Sequence, residues 1–417
     1  MTSDYDIVVV GGSIVGLTTT LALAQLGFKL ALVEPNFHSP TMPGNFDPRN
    51  FALTLTSIRI LENLGVWSGL DATRNAEIRH MSVWDANSNG RIEFSPHRVG
   101  ARSFGVITEN ANLLQALQAE TRRQGNVSVV EDAASQIVVS ADHRSIGLAS
   151  GDELHARIVV CCDGGNSPMR LQLGILAEQQ PYEQRALVCN VQTEESHQHV
   201  ARQVFHGSGP LAFLPLADER QSAIVWTNTE TACAELMALS AETFIERLNN
   251  AFAHTDSKKS LLRPAIRSLK LTSERFDFPL SRMHASRYDA ERAVLVGDSA
   301  HIIHPLAGQG LNLGIMDAAV LAHVLKYDAA GGLASILERP QPALRRYARW
   351  RASDNDLMLR ATDSLNALFS RREGFAKILR GTGLNTSNKI APLMRLFTLH
   401  AMGLAGELPT LAKESRH

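Results

Sequence analysis

What this 417-residue chain lacks narrows the field first. Lysine plus arginine (41) and aspartate plus glutamate (42) nearly cancel, leaving a net charge of −1. No run of basic residues with interleaved aromatics is present, so the footprint of a phosphate backbone is missing and no nucleic-acid partner is expected. No apolar stretch approaches the roughly 18 residues that a spanning helix needs. The first strand begins within a few residues of Met1, which leaves no room for a signal peptide, and a cytoplasmic protein is expected. The four cysteines, Cys161, Cys162, Cys189 and Cys233, have no CxxC spacing, and the adjacent pair cannot easily form a bridge. They read as small buried apolar residues in a reducing compartment, which excludes a redox-active dithiol. There is no internal repeat and no low-complexity segment. The length exceeds what one core usually serves, so two intertwined domains and a helical tail are expected.

The most informative stretch present is RAVLVGDSAHIIHPLAGQGLNLGIMD, from Arg292 to Asp317. Ala293 to Val296 suit a strand buried on both faces, and Gly297-Asp298 turn the chain outward at its end. Asp298 is thereby left at the carboxyl end of a parallel strand, where ligands of open α/β sheets collect, and its carboxylate can accept from the hydroxyls of a ribityl chain. Pro305, Gly308, Gly310 and Gly314, with Leu311 and Asn312 among them, let backbone amides approach a planar ring at a helix start. This reads as the ribityl end of an FAD site.

A second motif opens the chain. Tyr5 to Val10 is a β-branched strand, Gly11-Gly12-Ser13-Ile14-Val15-Gly16 follows, and Leu17 to Leu26 continues as a helix up to Gly27. Leu30 to Val33 is the next strand and ends in Glu34. Strand, glycine turn, helix N-terminus for a pyrophosphate and an acid roughly 20 residues on for ribose hydroxyls make up the dinucleotide fingerprint. Ser13 stands where that pattern has its second glycine, and weaker or slightly displaced cofactor binding is expected from it. A third motif lies between: Ile158 to Cys161 form a buried strand, and Asp163-Gly164-Gly165-Asn166-Ser167 with Met169-Arg170 form the turn after it. Asp163 and Arg170 suit a site near the pyrophosphate or a structural ion pair that caps a helix. His301 and His304, spaced i, i+3, have no third ligand of the right type nearby and read as polar lining of the flavin loop, with no metal expected.

Together the motifs resemble the group A flavoprotein monooxygenases, the para-hydroxybenzoate-hydroxylase-like family. Asp163 to Arg170 match that family's DGxxSxxR motif. Within the family the ubiquinone-biosynthesis hydroxylases are most similar. Their signature appears as His304-Pro305, Ala307-Gly308-Gln309-Gly310, Asn312, Gly314 and Asp317. Asp47-Pro48-Arg49, Glu109-Asn110, Phe213-Leu214-Pro215-Leu216, Val225-Trp226, and Arg351, Asn355 and Asp363 on one late helix fit the same subgroup. The resemblance covers nearly the whole chain.

The resemblance implies an FAD-dependent aromatic-ring hydroxylase acting on a polyprenylated phenol or benzoquinol with O2, through a flavin C4a-hydroperoxide. It implies NAD(P)H as a transient electron donor, and no second dinucleotide fingerprint is present to hold one. The cofactor would perform the difficult step, so no catalytic side chain is compulsory and none is assigned. Arg49 is the candidate for an electrostatic role beside the flavin, with a surface ion pair as its alternative. Asn110 is a further candidate cofactor contact. Halogenases of the same fold want a WxWxIP run that is absent. A prenyl-group reductase, or a non-catalytic FAD-binding scaffold subunit of a quinone-synthesis complex, are the other readings.

The expected fold is α/β: a Rossmann-like, discontinuous FAD-binding domain (residues 1–80, 100–178 and 276–330), an antiparallel-sheet substrate domain (81–99 and 179–275) and a helical C-terminal region (331–417). Ala201 to Phe205, Leu211 to Leu216 and Ser222 to Thr227 alternate as strands. Phe213, Leu216 and Trp226 are candidate substrate-wall residues, each also suited to plain core packing. Ile390 to Leu404, with Leu393, Leu396, Phe397 and Met402, suits an interfacial helix peripheral to the inner membrane, an oligomer or partner contact, or a packed tail.

Overall fold

The computed structural model describes residues 4–40, 42, 44–86, 90–140, 143–253, 269–304, 308–328, 332–370, 399, 402–404 and 406–414. The chain begins with β1 (Tyr5–Val10), α1 (Ile14–Ala24), β2 (Leu30–Val33), β3 (Asn50–Thr54), α2 (Leu55–Asn63), β4 (Ala76–Ile78), β5 (His80–Asp85) and β6 (Arg91–Phe94). It continues through β7 (Gly105–Glu109), α3 (Asn110–Arg123), β8 (Val127–Val130), β9 (Ala134–Val139), β10 (Arg144–Leu148), β11 (Glu153–Cys161) and α4 (Pro168–Gln172). The strands β12 (Ala177–Gln192), β13 (Val200–His206), β14 (Gly209–Pro215) and β15 (Gln221–Thr229) precede α5 (Glu230–Ala238) and α6 (Ala241–Ala253). Then come β16 (Lys270–Leu271), β17 (Phe276–Ala285), β18 (Asp289–Ala290), β19 (Ala293–Leu295), β20 (His301–Ile302), α7 (Gln309–Asp328), α8 (Leu333–Glu338) and α9 (Gln341–Ser370).

The first sheet runs β18-β19-β11-β1-β2-β8, and every pairing from β19 to β8 along it is parallel. Its strands are apolar because they are buried beneath helices: α1 packs on β1 and β2 and on α3 and α7, and α7 packs on α9. Ile7, Val8, Val9, Leu30, Leu32, Val159 and Val160 are fully buried in this core. The second sheet runs β20-β17-β12-β15-β14-β13-β5-β6 and is antiparallel except where β13 meets β5. Period-2 alternation sorts its side chains. Leu187, Leu211, Ile224 and Trp84 on one face pack against α5 and α6 through Leu236, Phe244 and Phe252. Ala201, Ala223 and Leu216 on the other face pack against Ile78, Phe104 and Ile107. Those last residues belong to or adjoin a small third sheet, β3-β7-β4, which links the two layers.

One boundary differs from the sequence expectation. Residues 276–285 were expected in the FAD-binding layer, but β17 pairs along β12 from Ala177↔Ala285 to Val188↔Phe276 and so belongs to the second sheet. Alternation identifies a strand, whereas its partner is chosen by tertiary packing. Among the described residues no helix is long and apolar enough to cross a membrane.

Candidate functional site

The three sequence motifs, the second of them spread over β1 and β2, lie at the carboxyl ends of four neighbouring parallel strands, in the order β19, β11, β1, β2. Gly297-Asp298 follows β19, Cys162-Asp163 follows β11, Gly11-Gly12 follows β1 and Glu34 follows β2. The carboxyl edge of an open parallel sheet, with helix N-termini beside it, is where α/β folds bind ligands.

The glycine turn is shaped by contact. Gly11 has φ +103, and a Cβ there would lie 2.4 Å from the carbonyl oxygen of Cys162; one on Gly16 would lie 1.8 Å from that of Gly11. Only glycine fits either place. Gly12 donates its amide to Glu34 Oε2 at 2.7 Å, and Asn36 donates to Oε1 at 3.0 Å, so the turn itself orients the Glu34 carboxylate. Ser13 has an ordinary φ of −72°, stays exposed, and makes no side-chain cap at the start of α1. The position therefore accepts a side chain without backbone strain, and the first-turn amides of Ile14, Val15 and Gly16 have no side-chain acceptor from the N-cap.

Asp163 does cap a helix. Its Oδ1 accepts from Ser167 Oγ at 2.6 Å and its Oδ2 from the Met169 amide at 3.1 Å; burial raises its pKa despite these bonds. Arg170 is not its hydrogen-bonded partner. The guanidinium donates instead to the carbonyls of Ser299 (2.9 Å) and Gly165 (2.8 Å), tying the turn after β11 to the turn after β19.

In the turn after β19, Gly297 has φ +68 and its Cβ position lies 2.9 Å from Val15 Cγ1. Asp298 is exposed by area, yet the surrounding protein raises its pKa, with His301 opposing and Asp317 adding to the rise. Gly308 (φ +63) and Gly310 flank the start of α7; Pro305 lies outside the described residues. Leu311 is half-buried. Asn312 is buried, and its side chain is committed to protein: Oδ1 accepts from the Thr54 amide (2.9 Å) and Ser57 Oγ (2.7 Å), and Nδ2 donates to the carbonyls of Ala52 (2.9 Å) and Gly308 (3.0 Å). It fixes the shape of this turn from behind.

Arg49 and Asn110 are brought side by side, the Asn110 amide donating to the Arg49 carbonyl at 2.9 Å. The Arg49 guanidinium is largely exposed, 3.5 Å from Asp47 Oδ1. Behind it, fully buried Glu109 accepts both from Arg74 (2.7 and 2.8 Å) and from the Asp47 amide (2.7 Å), so the Asp47–Asn50 segment is held rigidly.

The second sheet turns one face toward this edge. Asn190 donates to the Phe46 carbonyl at 2.8 Å, and Gln184 Oε1 lies 3.4 Å from His304 Nε2. Phe213 and Trp226, expected as pocket walls, lie on the opposite face, in contact with Phe252 (4.3 Å between centroids) and Phe244 (6.4 Å). They are core of the helix-covered layer, because alternation cannot say which face meets a cofactor. Leu216 is on the near face but buried. Sequence reasoning missed the side chains that stand open on the near face, Phe276 and Phe278, both more than 40% exposed. The Phe-Asp-Phe alternation was the available signal. It also missed Tyr182. A register shift between Pro181 and Arg185, with Glu183 at φ 54, sets Tyr182 edge-on to His304 at 4.8 Å, and such bulges often re-aim side chains beside active sites. Burial pushes the His304 imidazole down to about 4, with Asp363 opposing, so it is neutral at pH 7. Tyr182 donates its hydroxyl to Asp363, and burial together with that carboxylate pushes its pKa up.

Most of the segment from Ile390 to Leu404 lies outside the described residues. Met402, read as part of an interfacial helix, an oligomer or partner contact, or a packed tail, is fully buried among Ile78, Phe104 and Ile107, and its carbonyl accepts from the Thr56 hydroxyl at 3.2 Å. Further on, Asn63 donates to the carbonyls of Leu411 and Lys413, which straps the tail to α2.

The residues fit FAD: a glycine cradle no Cβ can enter, uncapped helix amides, and two carboxylates at the ends of β2 and β19. Comparison with known proteins agrees. Residues 4–337 match the FAD binding domain family. The chain is 33% identical to the ubiquinone hydroxylase UbiL of Rhodospirillum rubrum, covering 98% of this chain and 92% of that one. It is 30% identical to the ubiquinone biosynthesis monooxygenase COQ6 of Drosophila melanogaster (96% and 90%) and 31% identical to the 3-demethoxyubiquinol 3-hydroxylase of Escherichia coli (96% and 98%). Among solved structures, p-nitrophenol 4-monooxygenase PnpA from Pseudomonas putida superposes with a TM-score of 0.75 at 18% identity, covering 97% of this chain and 99% of that one. HpxO of Klebsiella pneumoniae, complexed with FAD and uric acid, superposes at 0.71 with 17% identity (96% and 98%). The chain is an FAD-dependent monooxygenase and belongs to the FAD-binding hydroxylase family that includes the ubiquinone-biosynthesis enzymes.

Proposed function

We propose that this protein hydroxylates the aromatic ring of a polyprenylated phenol or benzoquinol precursor of ubiquinone, using O2 and electrons from NAD(P)H. The carrying observation is the near face of the second sheet, apolar and open at Phe276 and Phe278, standing beside the carboxyl edge where the cofactor motifs converge. The names of the three relatives support the substrate class.

Gly11, Gly12, Ser13, Ile14, Val15 and Gly16 would hold the pyrophosphate through backbone amides, Glu34 the ribose and Asp298 the ribityl hydroxyls. Asp163 and Arg170 shape the turn beside the pyrophosphate. Gly308, Gly310 and Leu311 would present backbone to the ring, with Asn312 fixing that backbone and Arg49 and Asn110 on the adjoining segment. When bound and reduced, FAD supplies the activation of O2 for attack on an electron-rich ring. The protein's task is to position the ring and exclude water. Leu214, Val225, Phe276 and Phe278 line the face suited to that. Tyr182 keeps its proton on Oη for Asp363, and neutral His304 adds no charge beside the ring site, so neither carries a charge that would need solvent there.

The test is rapid anaerobic mixing of FAD-loaded protein with NADPH and a short-chain prenylphenol, followed by oxygen. Substrate-accelerated bleaching and a product heavier by one oxygen atom support a self-sufficient hydroxylase. Hydroxylation only after chemical reduction means a protein electron donor; no product under either regime sinks the reading in favour of a scaffold subunit. A contact with the inner membrane or with a quinone-biosynthesis complex would suit such a substrate. Liposome flotation with and without the residues after Lys389 checks the first, and unchanged flotation removes it.

A further inference from the structure

Behind the Gly297-Asp298 turn lies an ionic cluster whose centre, Asp317, His301, Arg351 and Asn355, is buried, with only Asp354 at its edge reaching solvent. Asp317, from the third turn of α7, is fully buried. Its Oδ2 accepts the Gly297 amide at 3.0 Å and lies 2.6 Å from His301 Nε2. Its Oδ1 accepts from Arg351 Nε of α9 at 2.6 Å. Arg351, also buried, donates to Asn355 Oδ1 at 2.8 Å and to Asp354 at 2.9 Å. Tyr288 stacks on His301 with centroids 6.0 Å apart and donates or accepts at His284 Nε2, 2.9 Å away.

A carboxylate taken wholly out of water is costly unless its oxygens are filled by well-placed donors, and here they are filled by a guanidinium, an imidazole and one backbone amide, with the Asn355 side-chain amide a longer fourth donor to Oδ1 at 3.4 Å. Removing the guanidinium, the imidazole or the backbone amide would leave the buried carboxylate under-satisfied, which favours the arrangement that keeps all of them. The amide is the informative partner. It belongs to the one residue of this turn in the left-handed region, so its direction sets the Val296–Gly297 peptide plane and, through it, the direction in which Asp298 leaves the sheet.

We infer that Asp317 is a positioning residue for flavin. Together with Arg351 it latches the ribityl-facing turn, so that the Asp317–Arg351 pair itself, and not the docking of α9 in general, is a condition of flavin retention. The inference rests on the proposal that Asp298 holds the ribityl chain. Arg351 is 53 residues beyond Asp298 in sequence and acts from behind the turn, so nothing in the site itself would reveal it.

The experiment measures FAD affinity by flavin fluorescence and, separately, the melting temperature of the apoprotein for Asp298→Asn, Asp317→Asn, Arg351→Lys and Tyr347→Phe. Tyr347 donates its hydroxyl to the Leu295 carbonyl at 2.8 Å, so Tyr347→Phe weakens the same strand without touching the turn. Expected are about tenfold weaker FAD binding or more for Asp317→Asn and Arg351→Lys, and less than twofold change for Tyr347→Phe at a comparable loss of melting temperature. Should Asp317→Asn not fold, Arg351→Lys, which keeps the charge and loses the fork, carries the test. Affinity that merely tracks melting temperature across the set, or that is unchanged in Arg351→Lys, overturns the inference. Unchanged affinity in Asp298→Asn overturns the ribityl assignment first, and the latch with it.

Discussion

Val15 occupies the space that a side chain on Gly314 would need: a Cβ there would lie 2.7 Å from Val15 Cγ2 and 3.3 Å from Cγ1. The start of α1 and the second turn of α7 thus meet at one residue, and Val15 also presses on Gly297. Gly314→Ala should force backbone movement and cost roughly 1–3 kcal/mol, read as a lower apoprotein melting temperature. Gly310, whose Cβ would meet nothing nearer than 4.0 Å, is the contrast. Gly310→Ala should leave the apoprotein as stable and weaken only FAD binding, and equal melting losses for both would refute this packing.

Asn312 joins α7 to β3 and α2 by three hydrogen bonds and makes a fourth to the Gly308 carbonyl just before its own helix. Asn312→Ala leaves the Thr54 amide and the Ala52 and Gly308 carbonyls without that partner, a loss of about 2 kcal/mol or more. Urea midpoints of the apoprotein check it, and Asn312→Asp, which keeps the acceptor and loses the donors, should fall between.

Glu34 orients itself on Gly12 and keeps acceptor capacity for ribose. Glu34→Gln exchanges one acceptor oxygen for a donor, and FAD affinity should fall about tenfold. Equilibrium dialysis measures this, and an unchanged Kd would mean that Glu34 only shapes the turn.

His304 is depressed by burial from an ordinary 6.5 to about 4. The folded state therefore favours the neutral ring, so its contribution to stability is whole above pH 6.5 and is lost progressively as pH falls toward 4. Burial also depresses His197, His284 and His323, and these add to the same decline. His304→Asn should flatten part of the drop in melting temperature between pH 7 and 4.5. Asp317 behaves differently: burial pushes its pKa up, but His301 and Arg351 outweigh this and bring it to about 2. Its contribution survives to below pH 3.8, so the two windows separate in one titration.

Phe276 and Phe278 should govern the isoprenoid end of the substrate. The double variant Phe276→Ser, Phe278→Ser is expected to raise KM severalfold for a long-tailed prenylphenol while leaving a tail-free phenol unaffected. A parallel change for both substrates would place the rings elsewhere in the cycle.

Local chemistry was legible in the sequence wherever it is carried by neighbours along the chain. The glycine turn, Glu34 at the end of β2, the Gly297-Asp298 corner and the strands of the second sheet could be read from spacing and alternation, because φ > 0 turns and period-2 burial are properties of a few consecutive residues. Asp317, Arg351 and Asn355 were visible as residues, but nothing along the chain pairs an acid on α7 with a guanidinium on α9. Phe213 and Trp226 suited either a substrate wall or plain core, and the structure places them in the core, because alternation tells which residues share a face and not what that face meets.

The sequence by itself determined the cofactor chemistry, since a dinucleotide cradle is built from backbone that only particular residues allow. The tertiary structure decided the rest: that β19, β11, β1 and β2 stand side by side, that β17 joins the second sheet, that its near face opens at Phe276 and Phe278, and that buried Asp317 accepts from both the Gly297 amide and Arg351. Those are choices of partner between segments far apart in sequence. They are settled by which packing buries apolar surface while giving buried charges hydrogen-bond partners.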